Sequence, residues 1–160
     1  VLEAKVLRVA LETAAFERVI ETLDKEFIED LRTNIKMQRV YCEGNRNYLE
    51  FHKMDNDFHK MIFEKAGIPG LWELALNGTG HYQRVKVLNA KNKTSDISVV
   101  KEHEEILEAL EKKDIERLRV MLEHHLGRTL LKLKKLEAEN PEYFEVKEEV
   151  MKDDAFILLK

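Results

Sequence analysis

The chain has 160 residues, of which 44% are hydrophobic and 36% charged, with six Gly and two Pro. At that length roughly 70% of the unfolded surface can be buried, enough for one substantial core, and so few Gly and Pro favour long amphipathic helices over turn-rich sheets. Lysine and arginine number 27 against 31 acidic residues, a formal charge of −4, so this segment has no basic stripe of the kind a phosphate backbone requires and is not expected to bind DNA by itself.

The first predicted helix spans about Leu2 to Glu21, where Val6, Val9, Ala10, Thr13, Ala14 and Phe16 recur at helical spacing. Thr22 or Asp24 can cap a second helix that runs to about Val40 with Phe27, Leu31, Ile35 and Met37 inward. Tyr41 to Asn47 then reads as a loop, because it supplies one Gly and two Asn. A third helix is expected from about Tyr48 to Ala66, ended by Gly67-Ile68-Pro69-Gly70, a glycine suited to a left-handed cap with a proline two residues on.

The fourth helix, about Leu71 to Ala90, is weakened in the middle by Asn77, Gly78 and Gly80, which predicts a kink or a break. Lys91 to Ser98 reads as a polar loop. Val99 to Lys112 and Asp114 to about Ala138 form an αα-hairpin whose second helix is capped by Asp114. Pro141 ends the regular pattern, so residues 1–140 form one domain and 141–160 an extension to which the pattern gives no role. The expected fold class is all-α, an antiparallel bundle of about six to seven helices.

The lone Cys42 cannot form an internal disulfide, and no apolar run nears the ~20 residues that cross a bilayer. A reducing cytoplasm is therefore expected, and no basic, apolar, small-residue signal sequence opens the chain. The start at Val1 rather than Met suggests a fragment, an edited chain or a proteolytic product.

Chemistry concentrates on the third helix and the hairpin. Asp55 and His59 lie four apart and share a face that Tyr48, Phe58, Ile62, Phe63 and Ala66 make mostly apolar. A carboxylate there costs several kcal/mol to desolvate unless a cation or strong donors meet it. His103 precedes Ile106, Leu107 and Leu110 by three, four and seven residues, and His125 follows Leu118, Met121 and Leu122 at the same spacings. Both imidazoles thus sit on apolar stripes. One carboxylate and three histidines from three helices can converge in a bundle interior and bind Zn, Ni, Mn, Fe or Co, among which the set does not choose.

Plainer readings stand beside this one. Asp55 with His59 can be a helical hydrogen-bonded pair, and His103 and His125 can be satisfied core histidines. His52, three residues before Asp55 and seven before His59, is a rival ligand. Asp57 and His124 fall on outward faces and read as solvated groups, while His81 lies in a polar stretch where surface and pocket are both open.

At these residues the sequence resembles the FCD domain, the effector-binding module of FadR-subgroup GntR transcription regulators. The resemblance covers roughly Val6 to Leu130. It is carried by Arg8-x-x-Leu11-Glu12, Asp55-x-x-Phe58-His59, Glu102-His103-x-x-Ile106-Leu107 and Met121-x-x-His124-His125-Leu126, in that order and with 22 residues from His103 to His125. It implies metal ligands at Asp55, His59, His103 and His125, facing a cavity inside the bundle where a small carboxylate effector completes the coordination. Arg84 and Arg8 are the candidates to grip that effector. The chain departs from the family pattern where Ile68-Pro69 follow Ala66-Gly67 in place of the usual Asn.

The resemblance further implies a homodimer that reaches operator DNA through a separate N-terminal winged-helix domain, with no membrane association and no enzymatic activity. Two other functions compete: a metal-dependent enzyme using the three-His, one-Asp set to activate water or dioxygen, and a dimerisation module with a structural metal. The first lacks an obvious general base beside the site.

Overall fold

The structure is a computed structural model that describes residues 2–44, 47–77 and 97–139, with side chains followed as far as Arg128. Six α-helices lie among the described residues: α1 Leu2–Thr22, α2 Lys25–Arg39, α3 Tyr48–Lys65, α4 Pro69–Asn77, α5 Ile97–Glu111 and α6 Ile115–Glu139. No strand occurs among them, and the fold is all-α as the composition predicts. No helix of the described residues is long and apolar enough to cross a membrane. His81, Arg84, the far part of the expected fourth helix and the 141–160 extension lie outside the described residues.

Local sequence explains most of the boundaries. Asp24 adopts an extended backbone and its side chain accepts from the Phe27 amide at 2.8 Å, satisfying one of the donors that a helix start leaves open. Asn47 and Asp114 do the same for α3 and α6, accepting from Glu50 N at 3.3 Å and Arg117 N at 3.0 Å. Gly67 at φ 73° closes α3, with Ile68 N bonded back to Phe63 O at 3.0 Å. Pro69 then opens α4 as its first residue, where a missing N–H costs nothing, so the helix begins two residues before the expected Leu71. Lys113 takes the same left-handed position between α5 and α6 at φ 54°, without a glycine's freedom.

Two expectations need correcting. Residues 41–47 are not all loop, because Val40–Gly44 continues α2 as a π-helical turn. The inward stripe of α2 runs on past Ile35 through Gln38 to Cys42, which is buried, and that holds the backbone in helix beyond the predicted end. In α1 the apolar spacing located the helix but not its buried face. Val6 is 59% exposed and Ala10 and Ala14 face solvent, whereas Arg8, Glu12, Ala15, Phe16, Val19 and Ile20 point inward. The inward stripe begins with two charges.

Helix α1 packs on α3 and α6, α2 on α3 and α5, and α5 on α6. Contacts between Lys5 and Glu123 and between Glu17 and Arg119 show α1 and α6 running antiparallel. Phe16, Leu31, Phe58, Ile62, Phe63, Ile106, Leu110, Leu118 and Leu122 are buried between these layers, each contributing about 1.5–3 kcal/mol by leaving water. Arg18 from α1 donates to the Ala66 carbonyl at the end of α3 at 3.2 Å, tying two helices and meeting a C-terminal carbonyl with a cation.

Candidate metal centre

Asp55 and His59 on α3, His103 on α5 and His125 on α6 come together in the core. All four are buried, at 4%, 1%, 0% and 5% exposure, and one ligand atom from each lies within 4.8 Å of all the others. The α3 register explains the placement, because Phe58 and Ile62 on the same helix face are fully buried and carry Asp55 and His59 inward with them. Phe58 stacks on the His103 ring at 4.3 Å between centroids, setting its plane. His52 packs on Phe51 and is not among the converging four, Asp57 is half-buried, and His124 is exposed with Glu102 3.6 Å away.

The three rings converge through the same atom. Nε2 of His103 is 3.2 Å from Nε2 of His125, which is 3.3 Å from Nε2 of His59, and Asp55 Oδ1 is 3.6 Å from His103 Nε2. Two nitrogens each ~2.1 Å from a common ion stand about 3.0 Å apart at a right angle and about 3.4 Å apart at a tetrahedral angle. The observed spacing falls in that interval.

Each ring turns its other nitrogen outward to an acceptor: Nδ1 of His59 lies 2.6 Å from Glu12 Oε2, Nδ1 of His103 lies 2.8 Å from Gln38 Oε1, and Nδ1 of His125 lies 2.9 Å from Glu102 Oε2. Acceptors at Nδ1 place the proton there and leave the Nε2 lone pairs facing one another and a carboxylate. Lone pairs so gathered repel, and a cation relieves that. The donor set fits a divalent transition metal, with each imidazole oriented by an outer partner as metal sites require.

Sequence reasoning missed Gln38 and gave no ligand-supporting role to Glu12 or Glu102. Burial alone would raise the carboxyl of Glu12, but the charges of His59 and Arg8 and their hydrogen bonds lower it to about 2. Glu12 therefore stays ionised in the core, balanced by the Arg8 guanidinium, which bonds it through Nε and lies 5.9 Å from the Trp72 ring. Burial pushes His59 below its ordinary value against the pull of Glu12, in the direction of the neutral ring that a metal requires. Glu102 is also lowered, because bonds from His125 and Arg128 outweigh its burial. The missed signal was positional: Arg8 and Glu12 stand eight and four residues before the buried Phe16, and Gln38 three after Ile35.

Fold and site together define an all-helical domain that gathers one carboxylate and three imidazole Nε2 atoms at its centre. Residues 3–128 match the FCD domain family, and the chain belongs to that family, the C-terminal domain of GntR-type regulators. It is similar to an uncharacterized HTH-type transcriptional regulator in an unstable DNA locus of Streptomyces ambofaciens, 26% identical over 144 residues covering 90% of this chain and 60% of that protein. It is also 22% identical over 138 residues to the HTH-type transcriptional repressor RspR of Escherichia coli K12 and to the HTH-type regulator YdfH of Shigella flexneri, covering 86% of this chain and 60% of each. The chain thus spans about 60% of the length of these relatives.

Proposed function

We propose that this chain is the effector-sensing domain of a bacterial transcription regulator, in which Asp55, His59, His103 and His125 hold a divalent transition metal that receives a small organic acid. The observation that carries the reading is the convergence of three Nε2 atoms on Asp55 while every Nδ1 faces an acceptor. When bound, the metal supplies Lewis-acidic positive charge at the centre of the bundle. Charge balance indicates the kind of effector. Arg8 bonds Glu12 and Arg128 bonds Glu102, while Asp55 is the one carboxylate among the four ligands, so a divalent cation held by it and three neutral imidazoles exceeds the charge of its ligands by about one. An anionic oxygen ligand neutralises that excess, and an ion that takes six ligands has two positions to offer beyond these four.

Arg84 and Arg8 are the candidates for gripping the far carboxylate, with the charge of Arg8 already balanced by Glu12. Effector binding shifts DNA affinity if one helix arrangement binds it better, and a coupling of about 1–3 kcal/mol is typical. The relatives are named as HTH-type regulators; we assign DNA contact to such a helix-turn-helix domain, with two copies of this chain meeting a two-fold operator in the cytoplasm. Regulators among the relatives favour the sensor over the enzyme. Native mass spectrometry of the purified chain, followed by calorimetry of small di- and tricarboxylates with and without a chelator, tests the reading. Carboxylate binding that disappears on chelation supports the sensor; substrate turnover supports the enzyme, and loss of folding on chelation with no carboxylate binding supports the structural role.

A further inference from the structure

Asn34 and Gln38 on α2 form a chain of hydrogen bonds that starts beside one metal ligand and ends on another. The Met54 carbonyl, one residue before Asp55, accepts from Asn34 Nδ2 at 3.0 Å. Asn34 Oδ1 accepts from Gln38 Nε2 at 2.7 Å, and Gln38 Oε1 lies 2.8 Å from His103 Nδ1.

The first link dictates the direction of all the others. A backbone carbonyl only accepts, so Asn34 has to give it the NH2 end and turn its oxygen to Gln38. Gln38 then has to give its own NH2 to that oxygen, which leaves its carbonyl for His103. A carbonyl cannot donate, so Nδ1 of His103 carries the proton and Nε2 keeps its lone pair. Reversing either amide sets acceptor against acceptor or donor against donor, and with Gln38 fully buried and Asn34 8% exposed each mismatch is costly.

We propose that Asn34 and Gln38 are positioning residues that lock His103 as an Nε2 ligand, with the lock anchored on the backbone of the helix that bears Asp55 and His59. The purpose of the lock rests on the metal reading above. The other two imidazoles reach the same state more simply, because Glu12 and Glu102 are carboxylates, which accept through either oxygen and need no orienting. An amide has a wrong way round, and Asn34 removes it. His103 is also the ring paired with a neutral acceptor, so its tautomer has the least electrostatic help from its immediate partner.

The test uses the full chain labelled with 15N-histidine. Ring 15N–1H correlation spectra are recorded metal-free at pH 8, and zinc affinity is then measured by competition with a chelator. His103 of the parent is expected to carry its proton on Nδ1. In Asn34→Leu the Gln38 amide is released to reverse, so a fraction of His103 with a bare Nδ1 appears and zinc affinity falls about 10- to 100-fold. Gln38→Glu can only accept at His103 and is expected to keep the parental tautomer, while its second oxygen opposes Asn34 Oδ1 and lowers the melting temperature. A bare Nδ1 at His103 in the parent overturns the lock, as does an Asn34→Leu chain unchanged in both tautomer and affinity. Should Asn34→Leu not fold, the parent and Gln38→Glu spectra decide the matter. A parent with the expected tautomer that takes up no zinc refutes the metal reading while upholding the lock.

Discussion

In the variant Glu12→Gln the side chain keeps its volume but loses its charge and one of its two acceptors. Glu12 Oε1 accepts from Arg8 while Oε2 faces His59 Nδ1, so a single amide oxygen serves one of these buried groups and turns an NH2 to the other. The lowering of this carboxyl from 4.5 to about 2 corresponds to about 3 kcal/mol of stability. A second route gives a similar figure, since removing one partner of a buried ion pair typically costs about 3–5 kcal/mol. The pKa is lower in the folded state than in the unfolded one, so the contribution is complete above about pH 4.5 and fades as pH falls toward 2, with about half left near pH 3. Urea unfolding of metal-free parent and variant should therefore show a gap of about 3 kcal/mol at pH 7, or roughly 6–12 °C in Tm, narrowing steadily on acidification. A gap below about 1 kcal/mol at pH 7, or one of equal size at pH 3, refutes the assignment of Glu12 as an ionised core carboxylate.

His103→Ala should abolish tight metal binding and lower the melting temperature of metal-loaded protein, as elemental analysis and a thermal melt will show; unchanged metal content removes His103 from the site. Lys113→Gly should leave stability level or raise it by up to about 1 kcal/mol, because the left-handed backbone at φ 54° penalises a Cβ, and a clear loss in denaturant midpoint counts against that geometry. Phe58→Ala removes a fully buried ring that stacks on His103 and should cost about 3–5 kcal/mol by urea titration, with weakened metal uptake. Arg84→Ala should weaken carboxylate binding by calorimetry while sparing the metal, and equal affinity in variant and parent removes Arg84 from the site.

The helices and the four converging residues were legible in sequence because their signals are local. Asp24 and Asp114 announce helix starts, and His103 and His125 fall on apolar stripes whose spacing alone turns them inward. The outer partners were hidden because their stabilising contacts are not local. Arg8 and Glu12 look like an ordinary surface pair four residues apart, and only the packing of α1 on α3 turns them into the core. Val6, read as part of the apolar stripe, is exposed in consequence. Gln38 gave no sign of its partner, since the contact that defines it lies 65 residues away on α5. Hydropathy finds buried apolar faces, whereas a polar group earns its burial only from what stands opposite.

One divalent transition-metal ion is expected among Asp55, His59, His103 and His125. Crystals of the purified chain, measured on either side of the absorption edge of whichever metal elemental analysis detects, reveal whether it is there. An anomalous peak about 2 Å from three Nε2 atoms and a carboxylate oxygen of Asp55 is the expected result. Well-ordered density for all four side chains with no anomalous signal between them, in protein kept from chelators and supplied with the metal, contradicts it.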